Sequence, residues 1–295
     1  MVASVLGGCF PERPAERPIE NAPIVVSSTP RSIPRSLAPP RPGRLALEPC
    51  GATDEGFDEW LWSVRRDAVS LGISTRTVRG ALGAVGYDPD VIALDREQKP
   101  FKVSFAKFSA RRLTRHRVAR GKRVMAENRE LLGRITARFG VQPEILVAIW
   151  GLETDYGDNA GSTSSLQALA TLAYDCRRAA RFRDELMSAL RILDRGDLTV
   201  EEMSGAWAGE LGQTQFLPSS YEKFGVDFDG DGRVDMVRSS ADALASTARF
   251  LEASGWRARD PYGPDSYNFE ALREWNASEM YCKTIALFAS ALTEP

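Results

Sequence analysis

Apolar residues recur at helical spacing along most of the chain from Phe57 onward. Met125, Leu132, Ile135 and Phe139 share one face of a 3.6-residue period. So do Phe182, Leu186, Leu190 and Leu193 and, near the C-terminus, Tyr281, Ile285, Phe288 and Leu292. Ser239-Ser240-Ala241-Asp242 has the form of a capping box ahead of Leu244, Ala248 and Leu251, with Gly255 placed to close that helix. Strictly alternating segments are scarce and no internal repeat is present. The pattern predicts a mainly α protein with irregular connections and little β structure.

Residues 1–45 break the pattern. They are rich in Pro, Arg and Ser, with Pro39-Pro40 and Pro42-Gly43 near their end. So little there can pack that a disordered linker is expected, with a globular domain over 46–295. Leu6-Gly7-Gly8-Cys9 resembles the lipobox of bacterial lipoproteins, whose cysteine is acylated after signal cleavage. No basic region precedes it, and its apolar stretch is short for a signal core. Cys9 is therefore either a lipidation site, anchoring the protein in the outer membrane, or a chance match.

Composition narrows the chemistry. Hydrophobic residues make up 43% and charged residues 26% of the 295-residue chain, as in ordinary globular proteins able to bury a sizeable core. No run approaches the roughly 20 apolar residues needed to cross a bilayer. The net charge of −2 conceals a run from Lys99 to Arg138 with thirteen basic residues and only Glu127 and Glu130 against them. That face is either simply solvated or attracts an anionic polymer. The single histidine, His116, lies inside this run, which disfavours Ser–His–Asp, Cys–His and His-rich zinc sites. Cys9, Cys50, Cys176 and Cys282 have no C-x-x-C spacing, which excludes zinc-ribbon and thioredoxin-like motifs.

Two segments carry candidate chemistry. In the first, Pro143 suits an opening helical turn and an apolar run from Ile145 to Leu152 leads to Glu153, with Gly157 available as terminator. A glutamate after so apolar a run is costly to ionise, which raises its pKa and suits a general acid; the alternative is a glutamate reaching solvent as the helix ends. The second runs from Gly205 to Tyr221. Gly205, Gly209 and Gly212 permit tight turns, Gln213 and Gln215 offer amides to sugar groups, and Trp207, Phe216 and Tyr221 offer flat faces unless they are core.

Together, Glu153-Thr-x-x-Gly157 and Gly212-x-x-Gln215-x-x-Pro218 resemble the lysozyme-like transglycosylase superfamily. The wider match is similar to the membrane-bound lytic transglycosylase B family. It includes Ala148-Ile-Trp-Gly-Leu-Glu-Thr, Ala168-Leu-Ala-Thr-Leu-Ala-Tyr-Asp, Trp207-Ala-Gly-Glu-Leu-Gly and Trp275-Asn-x-Ser-x-x-Tyr281. The resemblance implies a lysozyme-like helical catalytic core with helical N- and C-terminal segments packed around it. It implies Glu153 as sole catalytic acid, Arg177 and Arg178 in the glycan groove, Gln215 at the cleavage point, and Asn276 and Tyr281 lining the same cleft. Phe108 and Phe250 stand where tyrosines are expected, keeping stacking faces but losing hydroxyls, and Ala206 replaces a serine near the acid.

The implied reaction is non-hydrolytic cleavage of peptidoglycan between N-acetylmuramic acid and N-acetylglucosamine, leaving a 1,6-anhydro ring. A hydrolytic glycosidase normally needs two carboxylates. Asp155, the only second one nearby in sequence, lies two positions along the helix and faces away. The alternatives are a hydrolytic muramidase and a non-catalytic peptidoglycan-binding protein. Expected partners are glycan strands, not nucleic acid, met by a monomer in the periplasm.

Two further expectations come from the residues themselves. Asp227-x-Asp229-x-Asp231-Gly232 opens like a calcium loop, with Arg233 and Asp235 completing the candidate ligand set, but Arg238 stands where a bidentate glutamate belongs. It is either a structural calcium site or a metal-free acidic turn; no cofactor is expected for catalysis. If Cys9 is acylated, one of the remaining cysteines stays free. Cys282 sits among Ile285 and Phe288 as a buried thiol would, which leaves Cys50–Cys176 as the expected disulfide.

Overall fold

The computed structural model describes residues 50–51, 53–98 and 103–294. Cys9 and the proline-rich segment over 1–45 lie outside the described residues. Among the described residues, thirteen helices accompany one two-stranded antiparallel sheet. Side-chain caps set many of the helix starts: Ser74, Ser104, Thr114, Ser266 and Ser278 each accept a backbone N–H from the first turn that follows.

The helices gather around two apolar clusters. The first joins α1 (Phe57–Ser70), α2 (Thr75–Leu82) and α3 (Pro89–Arg96) to α8 (Ser165–Tyr174), α9 (Ala179–Arg195) and α10 (Pro218–Phe224). The second joins α4 (Phe105–Arg112), α5 (Arg115–Glu127), α6 (Arg129–Phe139) and α7 (Pro143–Thr154) to α11 (Ser240–Ala253), α12 (Tyr267–Trp275) and α13 (Glu279–Thr293). Phe250 and Trp275 pack against both clusters, so the seam between them passes under these rings. Between α7 and α10 lies the sheet, β1 (Thr163–Ser164) with β2 (Ser204–Gly205).

α7 is the buried axis of the second cluster, with every residue from Ile145 to Gly151 buried. Each large aliphatic chain there contributes about 1.5–3 kcal/mol by leaving water. The helix ends earlier than Gly157 suggests. Asp155 and Tyr156 both take left-handed backbone conformations, with φ of 54° and 63°. Burial of the Tyr156 ring against Trp150 drives this turn, and Gly151 makes it feasible: a Cβ there would stand 2.7 Å from the Tyr156 ring.

The expected capping box is half formed. Ser239 accepts the Asp242 N–H at 3.2 Å, but the Asp242 carboxylate turns away to the Phe228 and Asp235 N–H groups, both at 2.8 Å. Cys50 and Cys176 form a disulfide across 126 residues, and Gly51 N–H donates to the Tyr174 carbonyl at 3.0 Å. Closing so long a loop restricts the unfolded chain by on the order of 4 kcal/mol, less any native strain. Cys282 is a buried free thiol, and burial pushes its pKa up to about 12.

Candidate active site

Glu153 occupies the last turn of α7, where that helix meets the seam. The Trp275 indole N–H, from the end of α12, donates to its Oε1 at 3.2 Å. The buried Tyr281 hydroxyl of α13 lies beside the same carboxyl, close enough to favour the carboxylate but without an aligned hydrogen bond. Glu153 keeps some contact with solvent as a residue, yet protein atoms crowd its carboxyl. Burial dominates over both donors and pushes its pKa up to about 7.

A glycine-bearing loop is fastened to the end of α7. Thr154 Oγ1 donates to the Gln213 carbonyl at 2.6 Å and accepts the Gly157 N–H at 2.9 Å. Gly212 has φ of 76°, and a Cβ there would meet the Met236 carbonyl oxygen at 2.5 Å, so glycine is required. Gln215 also takes a left-handed conformation, and its amide nitrogen donates to the carbonyls of Ala160 and Gly212 at 3.0 and 2.9 Å. The loop thus holds Gln215 rigidly, close to the turn that follows Glu153.

Several expected roles change in the folded chain. Phe108 is only 1% exposed, with the Arg112 guanidinium 3.6 Å from its ring centroid, so it presents no stacking face to a sugar. Phe216 and Tyr221 are core as well, and Gln213 is buried with its amide nitrogen on the Val237 carbonyl. Phe250 is half-buried in an aromatic set with Phe216, Phe224 and Trp275. Trp207 stays partly exposed. Asn276 is buried, its Oδ1 accepting the Ser278 N–H at the start of α13; this orients the Trp275–Tyr281 segment.

Arg177 and Arg178 converge on the buried carboxylate of Asp95. Arg96 ties the same carboxylate to Asp175, at 2.8 and 2.6 Å, beside the Cys50–Cys176 bond. Nothing in the sequence marked Asp95, since an acid near a helix end usually meets water.

Asp155 is held away from Glu153 by Arg117 and Arg120, at 3.3 and 3.2 Å. A different acid comes within electrostatic reach: Glu210, in the glycine loop, is itself buried, and burial lifts its pKa to about 7. The expectation that Asp155 is the only second carboxylate nearby is therefore corrected. A buried acid and a solvated one look alike in sequence.

The candidate calcium loop also regroups. Ligand oxygens of Asp227, Asp229 and Asp242 lie within 4.8 Å of one another. Asp231 and Asp235 are not drawn in. Asp231 accepts the Arg233 N–H at 2.9 Å, and Asp235 pairs with Arg238 at 2.7 Å. Arg233 turns its guanidinium toward Asp235 at 3.7 Å. The buried Asp242 supplies the third carboxylate that the defective loop lacks.

Residues 56–267 match the family described as Transglycosylase SLT domain. Over 128 residues the chain is 40% identical to membrane-bound lytic murein transglycosylase B of Escherichia coli (strain K12), an alignment covering 43% of this chain and 35% of that relative. SltB3 from Pseudomonas aeruginosa, solved in complex with NAG-anhNAM-pentapeptide, superposes with a TM-score of 0.77 at 32% identity, covering 80% of this chain and 79% of that one. The E. coli lytic transglycosylase Slt35, solved in complex with calcium, shares the fold with a TM-score of 0.71 at 23% identity, over 85% of this chain and 97% of that one. Glu153 and the glycine loop lie inside the matched region, and the chain belongs to the Transglycosylase SLT domain family.

Proposed function

We propose that this protein is a peptidoglycan lytic transglycosylase in which Glu153 serves as both acid and base. The observation that carries the reading is the Glu153 carboxyl itself: crowded by protein, proton-holding near neutrality, and met by the Trp275 N–H. Glu153 protonates the glycosidic oxygen as the C1–O4 bond breaks, and the substrate's N-acetyl group supports C1. The Glu153 carboxylate then takes the proton of the O6 hydroxyl while O6 bonds to C1. Glu153 ends protonated, no water is consumed, and the product closes as 1,6-anhydro-N-acetylmuramic acid. Gln215, Tyr281 and Asn276 bind or orient the glycan around this point, Arg177 and Arg178 extend the groove, and Phe250 shapes it from below through Trp275.

Hydrolysis would need a second carboxylate that can reach a water. Asp155 is committed to arginines, and one Glu210 oxygen is sealed from solvent. Both facts favour the non-hydrolytic route. Mass spectrometry of digested peptidoglycan tests it: anhydro products are one water lighter than hydrolytic ones. Reducing ends alone would assign the protein to the muramidases.

The remaining expectations are proposals of the same standing. Asp227, Asp229 and Asp242 suit a structural Ca2+, a hard cation that takes carboxylate oxygens. It would tie the acidic loop to α11 and supply no chemistry to cleavage. The formed disulfide fits an oxidising compartment such as the periplasm. No described helix is long and apolar enough to cross a membrane.

A further inference from the structure

The steps above give Trp275 no task beyond touching the acid, yet its placement is closely determined. Behind it the end of α12 is clamped. The Asn276 N–H donates to the Leu272 carbonyl at 3.0 Å, and the Ser278 N–H to the Asn276 Oδ1 at 2.9 Å. The buried Cys282 thiol lies 2.9 Å from the Asn276 carbonyl oxygen and 3.1 Å from that of Leu272. Around the ring, Phe216 and Phe250 pack edge-on, each with its centroid 5.2 Å from that of the indole, at interplanar angles of 76° and 87°. Phe216 directly follows Gln215, and its backbone exchanges two hydrogen bonds with Leu211, at 2.9 and 2.7 Å. The indole is thus wedged between α11 and the glycine loop, with its N–H 3.2 Å from one oxygen of Glu153.

A protonated carboxyl has one hydroxyl oxygen and one carbonyl-like oxygen, and an incoming N–H is accepted by the second. The Trp275 N–H reaches Oε1, so the acid proton of Glu153 belongs on Oε2. Once that proton leaves, the same N–H faces a full charge and its bond tightens. It therefore opposes the burial that makes Glu153 reluctant to ionise. The other groups acting on this carboxyl are Tyr281 from α13 and Glu210 from the glycine loop; Arg112 from α4 acts on Tyr281. Arg117 and Arg120 of α5 are engaged by Asp155.

We propose that Trp275 is a positioning residue for cleavage: its indole N–H fixes Glu153 Oε1 as the accepting oxygen, so that Oε2 carries the proton given to the glycosidic oxygen. This rests on the reading of Glu153 as the acid. As the Oε2–H bond breaks, its electron pair stays on the Glu153 carboxylate, which the N–H already faces; the O6 proton later returns to the same oxygen. The ring and the donor have separable duties. The ring spaces α12 from Phe216 and so from the loop that holds Gln215. The N–H orients the proton and eases its release. Trp275 acts through Glu153, and the argument requires no contact between the indole and the sugar.

The indole N–H is itself the reporter. The chain has six tryptophans, and the Trp275 indole signal in a nitrogen–proton correlation spectrum of the full chain is assigned by its loss in Trp275→Phe. In the wild-type protein this signal moves with pH through a midpoint of about 7 as Glu153 ionises, and the movement vanishes in Glu153→Gln. A signal that ignores pH, or that titrates equally in Glu153→Gln, overturns the proposal. The activity arm replaces Trp275 with benzothienylalanine, which keeps the bicyclic shape but has sulfur in place of the N–H, so the test stays readable should Trp275→Phe fail to fold. In that protein kcat for peptidoglycan solubilisation falls by roughly tenfold or more while KM stays near wild type. The alkaline limb of its kcat profile, which reports loss of the Glu153 proton, moves to higher pH by about half a unit or more. A wild-type kcat or an unmoved limb assigns Trp275 to packing alone and overturns the proposal. Glu153→Gln separates the two ideas. If it is inactive and the indole signal is silent, only this inference fails; if it still lyses cell walls, the proposed mechanism fails first and this one with it.

Discussion

At the end of α7 the Glu153 carboxyl meets one aligned donor, the Trp275 N–H, and in the glycine loop the buried Glu210 keeps one carboxyl oxygen without a partner. Along the 227–242 loop, Asp227, Asp229 and Asp242 are wrapped in donors instead. Asp227 accepts the N–H groups of Gly230 and Gly232, at 2.7 and 2.9 Å, and Asp229 accepts the Ser239 hydroxyl at 2.6 Å. Even Asp242, whose proton affinity burial raises, has the N–H groups of Phe228, Asp229 and Asp235 opposing that rise. The same functional group is thus prepared for opposite tasks. Withholding donors favours the protonated carboxyl, while supplying donors offsets the cost of burying a carboxylate.

The comparison breaks most visibly at its acid end. Glu153→Gln keeps shape and packing but removes the transferable proton, so activity on purified cell walls falls at least ~100-fold, the usual scale for a general acid. Thermal melting remains near wild type. A lysis rate near wild type in this variant would remove Glu153 from the reaction. At the other end, Asp242→Ala strips an acceptor from the N–H groups of Phe228, Asp229 and Asp235. It lowers unfolding stability by about 2–3 kcal/mol in urea titrations, because buried N–H groups are left unmatched. A loss of a few tenths would mean that the loop stands without its buried aspartate.

The pH dependence of stability sharpens the contrast. Burial pushes both Glu153 and Glu210 from the ordinary glutamate value of 4.5 up to about 7 in the folded protein. Between those values the folded state binds more protons than the unfolded state, so stability falls as pH rises. Their contribution is greatest below about 4.5 and is lost as pH passes through about 7. Replacing both residues with glutamine flattens this decline by up to about 3 kcal/mol for each residue. Melting temperatures from pH 4.5 to 8 measure it; a decline as steep as wild type would show that the two carboxyls are better solvated than their packing indicates.

How far the site could be read from the sequence follows from the range of the interactions that build it. The burial of Glu153 was legible because a local apolar run leads straight to it. The tight turn at Gln215 was legible because nearby glycines advertise it. The Trp275 N–H on Glu153 comes from 122 residues away, and no local pattern encodes that meeting. Glu210 and Asp242 were illegible as special acids, since their burial depends on where distant helices settle. Phe108, Phe216 and Tyr221 failed as stacking faces because an aromatic side chain serves core and ligand alike; only packing tells them apart. The Asp227 loop was half legible: its turn residues act locally, while its third carboxylate arrives from α11.

The smallest expected effect concerns the cation. A ligand that binds only the folded state stabilises it by RT ln(1 + [L]/Kd), which at tenfold excess over Kd is about 1.4 kcal/mol. For a domain of this size that is a rise of about 3–6 °C in melting temperature. Calcium should produce this shift in the wild-type protein, and a chelator should reverse it. Asp229→Ala should abolish the shift while leaving cleavage intact, because Asp229 is an exposed member of the cluster, bonded to Ser239 in the same loop. Asp231→Ala is the discriminating control. Its carboxylate is engaged with the Arg233 N–H and stands outside the cluster, so the calcium response should survive. Loss of the response in Asp231→Ala as well would mean that the loop closes around the ion in the linear order of its aspartates, rather than recruiting Asp242. No response in the wild-type protein would leave the donors to explain the cluster alone, as a turn that holds its charge without any ion.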